Sequence, residues 1–150
     1  MEITLSVSKQ QVLDEVAKTT AYSGAKMKDD ESAYSRIFTK KSDRDMLERF
    51  WNEAEVSVCE ALKRFLVEER EEEGAYLLRL CLSESFDASL VGSMEKELMS
   101  YFVMSITGKW FAFTNKGEAG EYSSTASGLL EGLRKKVLYK KRPTRPRWNQ

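Results

Sequence analysis

At Ser6 with Lys9, and again at Ser93 with Lys96, a serine stands three residues before a lysine. That spacing can set an amine against a hydroxyl, but a Ser-Lys nucleophile also needs a desolvated lysine and accompanying second motifs. Neither SDN nor KTG occurs, and Ser93 and Lys96 lie among Glu95 and Glu97, so the second pair reads as an exposed helix face. Ser23-Gly24-Ala25-Lys26 lacks the first glycine and the following Ser or Thr of a phosphate-binding loop; it reads as a helix terminus. The run EEREEEG, Glu68 to Gly74, lacks the spaced oxygen ligands of a calcium loop and reads as a solvated helix end and turn. Glu53 and Glu60 fall on polar helix faces, where a carboxylate meets solvent instead of doing acid-base work.

Histidine is absent, which removes the usual general base, the usual zinc ligand and the Ser-His and Cys-His dyads together. Cys59 and Cys81 fit no zinc or redox spacing and sit among apolar or alternating neighbours, so both are expected to be buried thiols. The aromatic cluster Lys109 to Phe113, KWFAF, could stack on bases, but its helical spacing assigns it to the core. No residue therefore qualifies as catalytic, cofactor-binding or metal-ligating. The expectation is a protein that is not an enzyme and uses no cofactor.

The formal net charge is zero, yet the charge is segregated. Residues 1–133 carry 16 Lys and Arg against 24 Asp and Glu, a balance of −8, whereas residues 134–150 carry 8 basic residues and no acidic one. The same tail holds both prolines of the chain, Pro143 and Pro146, and Trp148. Basic density of this kind commonly marks contact with nucleic acid or another anionic surface, the other reading being a solvated, disordered end. The fixed φ of the prolines favours an extended arm of about 3 Å per residue. The candidate partner-binding set is Lys140, Lys141, Arg142, Pro143, Arg145, Pro146, Arg147 and Trp148.

The elements that must carry this tail follow from periodicity. A chain of 150 residues fits one domain, burying roughly 70% of its unfolded surface. Ile3, Leu5 and Val7 alternate with polar residues and predict a short strand, after which Ser8 caps a helix to Tyr22 that Gly24 ends. Residues 26–41 read as a loop with one helical turn anchored by Tyr34, Ile37 and Phe38. From Asp43 to about Arg70, steps of three and four through Leu47, Phe50, Trp51, Ala54, Val58, Leu62, Phe65 and Leu66 predict one long helix.

Alternation from Ala75 to Glu84 predicts a second strand paired with the first. A central helix from Asp87 to Thr114 follows, with a kink at Gly108, then the turn NKGEAGE and a fourth helix carrying a small-residue face at Gly128 and Gly132. The class is mainly α with α+β character: a bundle of about four helices with a small two-stranded sheet. A single helical domain with its N-terminal strand fills 1–139, and 140–150 is an extended basic tail. The start MEITLSVSK has no apolar signal-peptide core. The most apolar stretch, Leu98 to Phe113, is too short and too interrupted for a bilayer, so a soluble, cytoplasmic protein is expected.

With ALKRFL, an apolar helix ending in KWFAF and the terminal GLLEGLRKKVLYKKRPTRP, the stretch Asp43 to Pro146 resembles the head-tail connector proteins of bacteriophages, the gp6-like head-completion adaptors. Those adaptors are essentially all-helical, and this chain departs from them by its strands. The resemblance implies a non-enzymatic ring subunit whose partners are further copies of itself and portal-like or tail-completion proteins, cytoplasmic before assembly and in the virion after it. It implies no membrane, and leaves a contact with DNA open. The second reading, from the residues alone, is a small helical nucleic-acid-binding accessory protein whose basic tail tracks phosphates.

Overall fold

The computed structural model describes residues 1–26 and 32–145. The architecture is mainly helical with a small antiparallel sheet: β1 (Glu2–Ser8), α1 (Lys9–Lys26), α2 (Ala33–Ile37), α3 (Arg44–Ala61), β2 (Leu66–Glu72), β3 (Ala75–Cys81), α4 (Val91–Thr114) and α5 (Lys116–Lys136). Strand order is β1-β3-β2. The predicted pairing of the first strand with Ala75–Cys81 is present, with Ile3 opposite Leu80, Leu5 opposite Leu78 and Val7 opposite Tyr76, all buried on one face. Ser8 accepts a hydrogen bond from the Gln11 N–H at 3.4 Å, the expected cap of α1.

The sheet has three strands, not two. The helix expected to reach Arg70 stops at Ala61, and Leu66–Glu72 forms an edge strand. Glu73 (φ 51°) and Gly74 (φ 78°) make the two-residue turn of a tight hairpin, with Glu72 opposite Ala75. Leu62, fully buried, and the turn that follows it had satisfied helical spacing without being helix. A helix through EEREEEG would have stacked carboxylates at its C-terminus, where the dipole disfavours them. In the hairpin, Glu68 lies opposite Arg79 and pairs with it at 3.2 Å. A bulge at Val67 changes the alternation, so Leu66 and Glu69 both face the helices.

Four further expectations are corrected. α1 runs past Gly24 to Lys26; a Cβ on Gly24 would lie 2.7 Å from the Tyr34 Cα, so that glycine admits α2 instead of ending the helix. α4 runs unbroken through Gly108, where a Cβ would lie 2.9 Å from the Ser123 Oγ; this glycine lets α5 approach and makes no kink. The presumed turn NKGEAGE is already helix from Lys116 onward, and only Asn115 separates α4 from α5. The predicted small-residue face is not where the helices close in. A Cβ on Gly128 meets nothing within 4 Å, and one on Gly132 meets only the Glu97 carboxylate, at 3.7 Å.

The core converges on Trp51, which is fully buried. Its ring stacks on Phe102 of α4 at 4.3 Å between centroids and meets Tyr76 of β3 edge-on at 6.3 Å. Phe102 and Tyr76 close the triangle at 5.6 Å. Trp110 and Phe111 are buried as expected, and the Trp110 indole donates to the Ile37 carbonyl at 2.6 Å, tying α2 down; Phe113, by contrast, is exposed.

Trp51→Ala is expected to lower the unfolding free energy by about 3–5 kcal/mol in denaturant titration, and a loss under about 1 kcal/mol would contradict this packing. Gly108→Ala should destabilise by about 1–3 kcal/mol through overpacking against Ser123. Gly128→Ala should stabilise by about 0.5–1 kcal/mol, since it only adds helix propensity. Equal effects at the two glycines would remove the close-approach argument.

Candidate functional site

The tail starts where α5 ends. Basic residues Arg134, Lys135 and Lys136 occupy the last turn of α5, where the dipole favours them, and Val137 is buried beyond it. Leu138 and Tyr139 then face solvent, 60% and 51% exposed. The Asp87 N–H donates to the Tyr139 carbonyl at 3.1 Å, Lys140 bridges Phe86, and the Lys141 N–H donates to the Ser85 carbonyl at 2.8 Å. The root of the tail is thus pinned through Lys141, one residue into the segment expected to be free from Lys140.

Lys140, Lys141, Arg142, Pro143 and Arg145 are all exposed, and none of the four basic side chains forms an ion pair among the described residues. A hydrogen bond from the Met1 ammonium holds Glu84 low and those from Ser89 hold Asp87 low, and the charge of Lys141 adds a smaller effect to both. Pro146, Arg147 and Trp148 lie outside the described residues.

A second cluster was not foreseen from the sequence. Burying the Trp51 ring leaves its N–H in need of an acceptor. Glu55, one turn along α3, accepts it at 2.5 Å, and Glu71 of β2 lies 3.3 Å from the same nitrogen. The two carboxyls are also within hydrogen-bonding reach of each other. Burial first, and then that contact, raise the Glu55 pKa to about 7. Glu71 is held low by the hydrogen bond from Glu55, helped by the positive charge of Lys9. Below about pH 7, Glu55 therefore carries the shared proton and donates it to Glu71. Lys9 itself pairs with Glu48 at 2.6 Å and lies over the Trp51 ring at 5.4 Å.

Beside this pair, Glu69 accepts from the Tyr76 hydroxyl at 2.7 Å and from the Cys59 thiol at 2.5 Å. Burial, followed by the Glu69 contact, raises the Cys59 pKa to about 11, and burial likewise raises Tyr76. Both groups hold their protons and act as donors. Cys59 is only half-buried and Cys81 is exposed, so the expectation of two buried thiols is corrected: Cys81 sits on the outward face of β3. The sequence signal was available in part, since Trp51 and Glu55 are four residues apart. The partner Glu71 was hidden by the reading of its segment as helix.

The other candidates are committed to structural contacts. Ser93 accepts from Lys136, not Lys96, and Lys136 is ion-paired with Glu97. Ser23 donates to Glu118 at 3.2 Å, joining α1 to α5. Glu53 is held low by Lys109, 3.0 Å away, and by Arg49. Among the described residues no group of three or more His, Cys, Asp or Glu is arranged to hold a metal ion, and no helix is long and apolar enough to cross a membrane. No family model, no curated protein and no solved structure matches this chain.

The shared proton gives stability a defined pH dependence. A glutamate whose folded pKa is raised contributes stability that is full below its ordinary value near 4.5 and is lost as pH rises through about 7. Glu71, held low, has the opposite sense: its contribution is present above 4.5 and is lost as pH falls through its lowered value. With no histidine in the chain, the Glu55 effect should dominate between the two. The thermal midpoint is therefore expected to fall from about pH 5 to about pH 8, and Glu55→Gln, which still donates to Glu71, should flatten that fall. A midpoint that rises over the same range in the parent protein would show that the pair shares no proton.

Proposed function

We propose that this chain is a non-enzymatic structural subunit of a phage or prophage head-tail connector, assembling with further copies of itself into a ring beneath a portal-like protein. One observation supports it above the others. Acidic and basic charge lie on different parts of one subunit: a carboxylate-rich hairpin at the sheet edge, and beyond α5 an exposed basic segment, 140–145, without ion pairs among the described residues. Complementary patches at different places make a heterologous contact, the kind that closes into rings. The edge strand adds a reason. Its charges repel an identical edge and so discourage two-fold sheet pairing. The side chains offering acid-base chemistry are meanwhile engaged in holding the hairpin to the core.

The second reading, a small nucleic-acid-binding accessory protein, is favoured by the same exposed basic side chains, which could contact phosphates. The −8 balance of residues 1–133 weighs against it by repelling a polyanion.

The test is sedimentation and light scattering of the purified protein across concentration and salt, with and without residues 142–150. The truncation should leave the thermal midpoint within about 2 °C of the parent, because the described residues it removes, 142–145, are exposed, while abolishing self-association and portal docking. Charge neutralisation at Lys141, Arg142, Arg145 and Arg147 should weaken association more at low salt than at high salt. A stable two-fold dimer that survives the truncation would overturn the connector reading. Loss of nucleic-acid affinity alone, with a steep salt slope before truncation, would establish the second.

A further inference from the structure

Between α3 and β2 runs an open groove of ≈ 350 Å³. Its apolar part is Val56, Cys59 and Leu66; Val56 is 57% exposed although it projects from a core helix. Its polar part is Glu55, Glu60 and Glu69. Lys63 is the one cation along it, so three carboxyl groups face a single ammonium. Glu55 and Glu69 are held in place by the Trp51, Tyr76 and Cys59 contacts, so this wall is fixed before anything binds.

The end of α5 presents the complementary sequence. Leu138 and Tyr139 are large, apolar and more than half exposed, and Lys140, Lys141 and Arg142 follow without ion pairs among the described residues. Backbone bonds to Ser85, Phe86 and Asp87 fix the segment's path, so docking it freezes little additional backbone. Within one subunit nothing from this segment lines the groove.

We infer that the α3–β2 groove is the seat for Leu138–Arg142 of a second copy of this chain, the apolar pair on Val56 and Leu66 and the basic residues against Glu60 and Glu69. The inference rests on the ring-subunit reading and supplies its contact. Because groove and segment are different surfaces, each subunit donates one and receives one, which propagates head to tail.

The experiment uses two single-cysteine variants of the full chain in a Cys59→Ala, Cys81→Ser background, one carrying Val56→Cys and the other Leu138→Cys. Each is oxidised alone and as an equal mixture, with sedimentation run in parallel on the parent protein. A disulfide-linked dimer that forms in the mixture and far exceeds either homodimer is the expected result. Glu60→Arg should weaken the association about five- to tenfold at low salt, and Lys141→Glu with Arg142→Glu in the partner should restore it. The Glu60 side chain is exposed and projects from α3 into solvent, so this second arm stays readable if the cysteine background folds poorly.

Self-association in the parent without the mixed product, and without charge-reversal rescue, would overturn the groove and leave the ring reading standing. A chain that stays monomeric at every concentration and gives no cross-link would overturn both. Homodimers from either variant alone would show a two-fold interface and refute the head-to-tail contact.

Discussion

The structure depends on the burial of one indole. Trp51 lies where α3, β3 and α4 meet, stacked on Phe102 and edge-on to Tyr76, and its ring is closed to solvent. Burying an indole is favourable only if its N–H keeps a partner, because an unsatisfied donor in an apolar site costs about as much as burial of the ring gains. No backbone carbonyl serves; the acceptors are two carboxyl groups, one from the same helix and one from the hairpin. That requirement brings β2 against α3 and explains why a strand made mostly of glutamate and arginine has a defined place.

The cost of that solution is electrostatic. Two carboxyls on one donor cannot both be ionised cheaply, so Glu55 holds a proton into the neutral range and Glu71 does not. Lys9 offsets the remaining negative charge from the far side while its own ammonium is held by Glu48 and the Trp51 ring. The carboxylates left over point outward along the edge strand and keep it from pairing with a copy of itself. The negative edge is thus a consequence of how the core is closed; with the exposed basic segment after α5, it is one of the two surfaces on which head-to-tail association is proposed.

The helical half of the molecule obeys a simpler constraint. α4 is packed against α1, α2, α3 and α5 and must be apolar on most sides, which it is from Tyr101 to Phe111. Its close approach to α5 is permitted at one point, Gly108 over Ser123, and a single intervening residue, Asn115, turns the chain. The same antiparallel pair carries the chain back toward the start of α4. There the root of the tail finds its backbone partners at Ser85, Phe86 and Asp87.

What the sequence by itself determined is what a repeat of two or of three to four residues, or a local count of charge, can report: the alternating strands at Ile3–Val7 and Tyr76–Leu82, the central helix, the apolar stripe that carries Trp51, and the segregation of charge toward the C-terminus. These are local properties, written in neighbouring residues. The tertiary structure alone decided the fate of Glu68–Glu72, because a glutamate run has low propensity for strands and its reasons for being one lie elsewhere: Arg79 across the ladder, and Tyr76 and the Trp51 N–H beneath it. It alone decided which glycines matter: Gly108, expected to kink its helix, is where α5 comes close, and Gly128, expected to admit a neighbour, faces open space. It also decided where the tail leaves the body, through backbone bonds to a segment more than fifty residues earlier in the chain. Each of these outcomes turns on a partner distant in sequence, and periodicity carries no record of such partners.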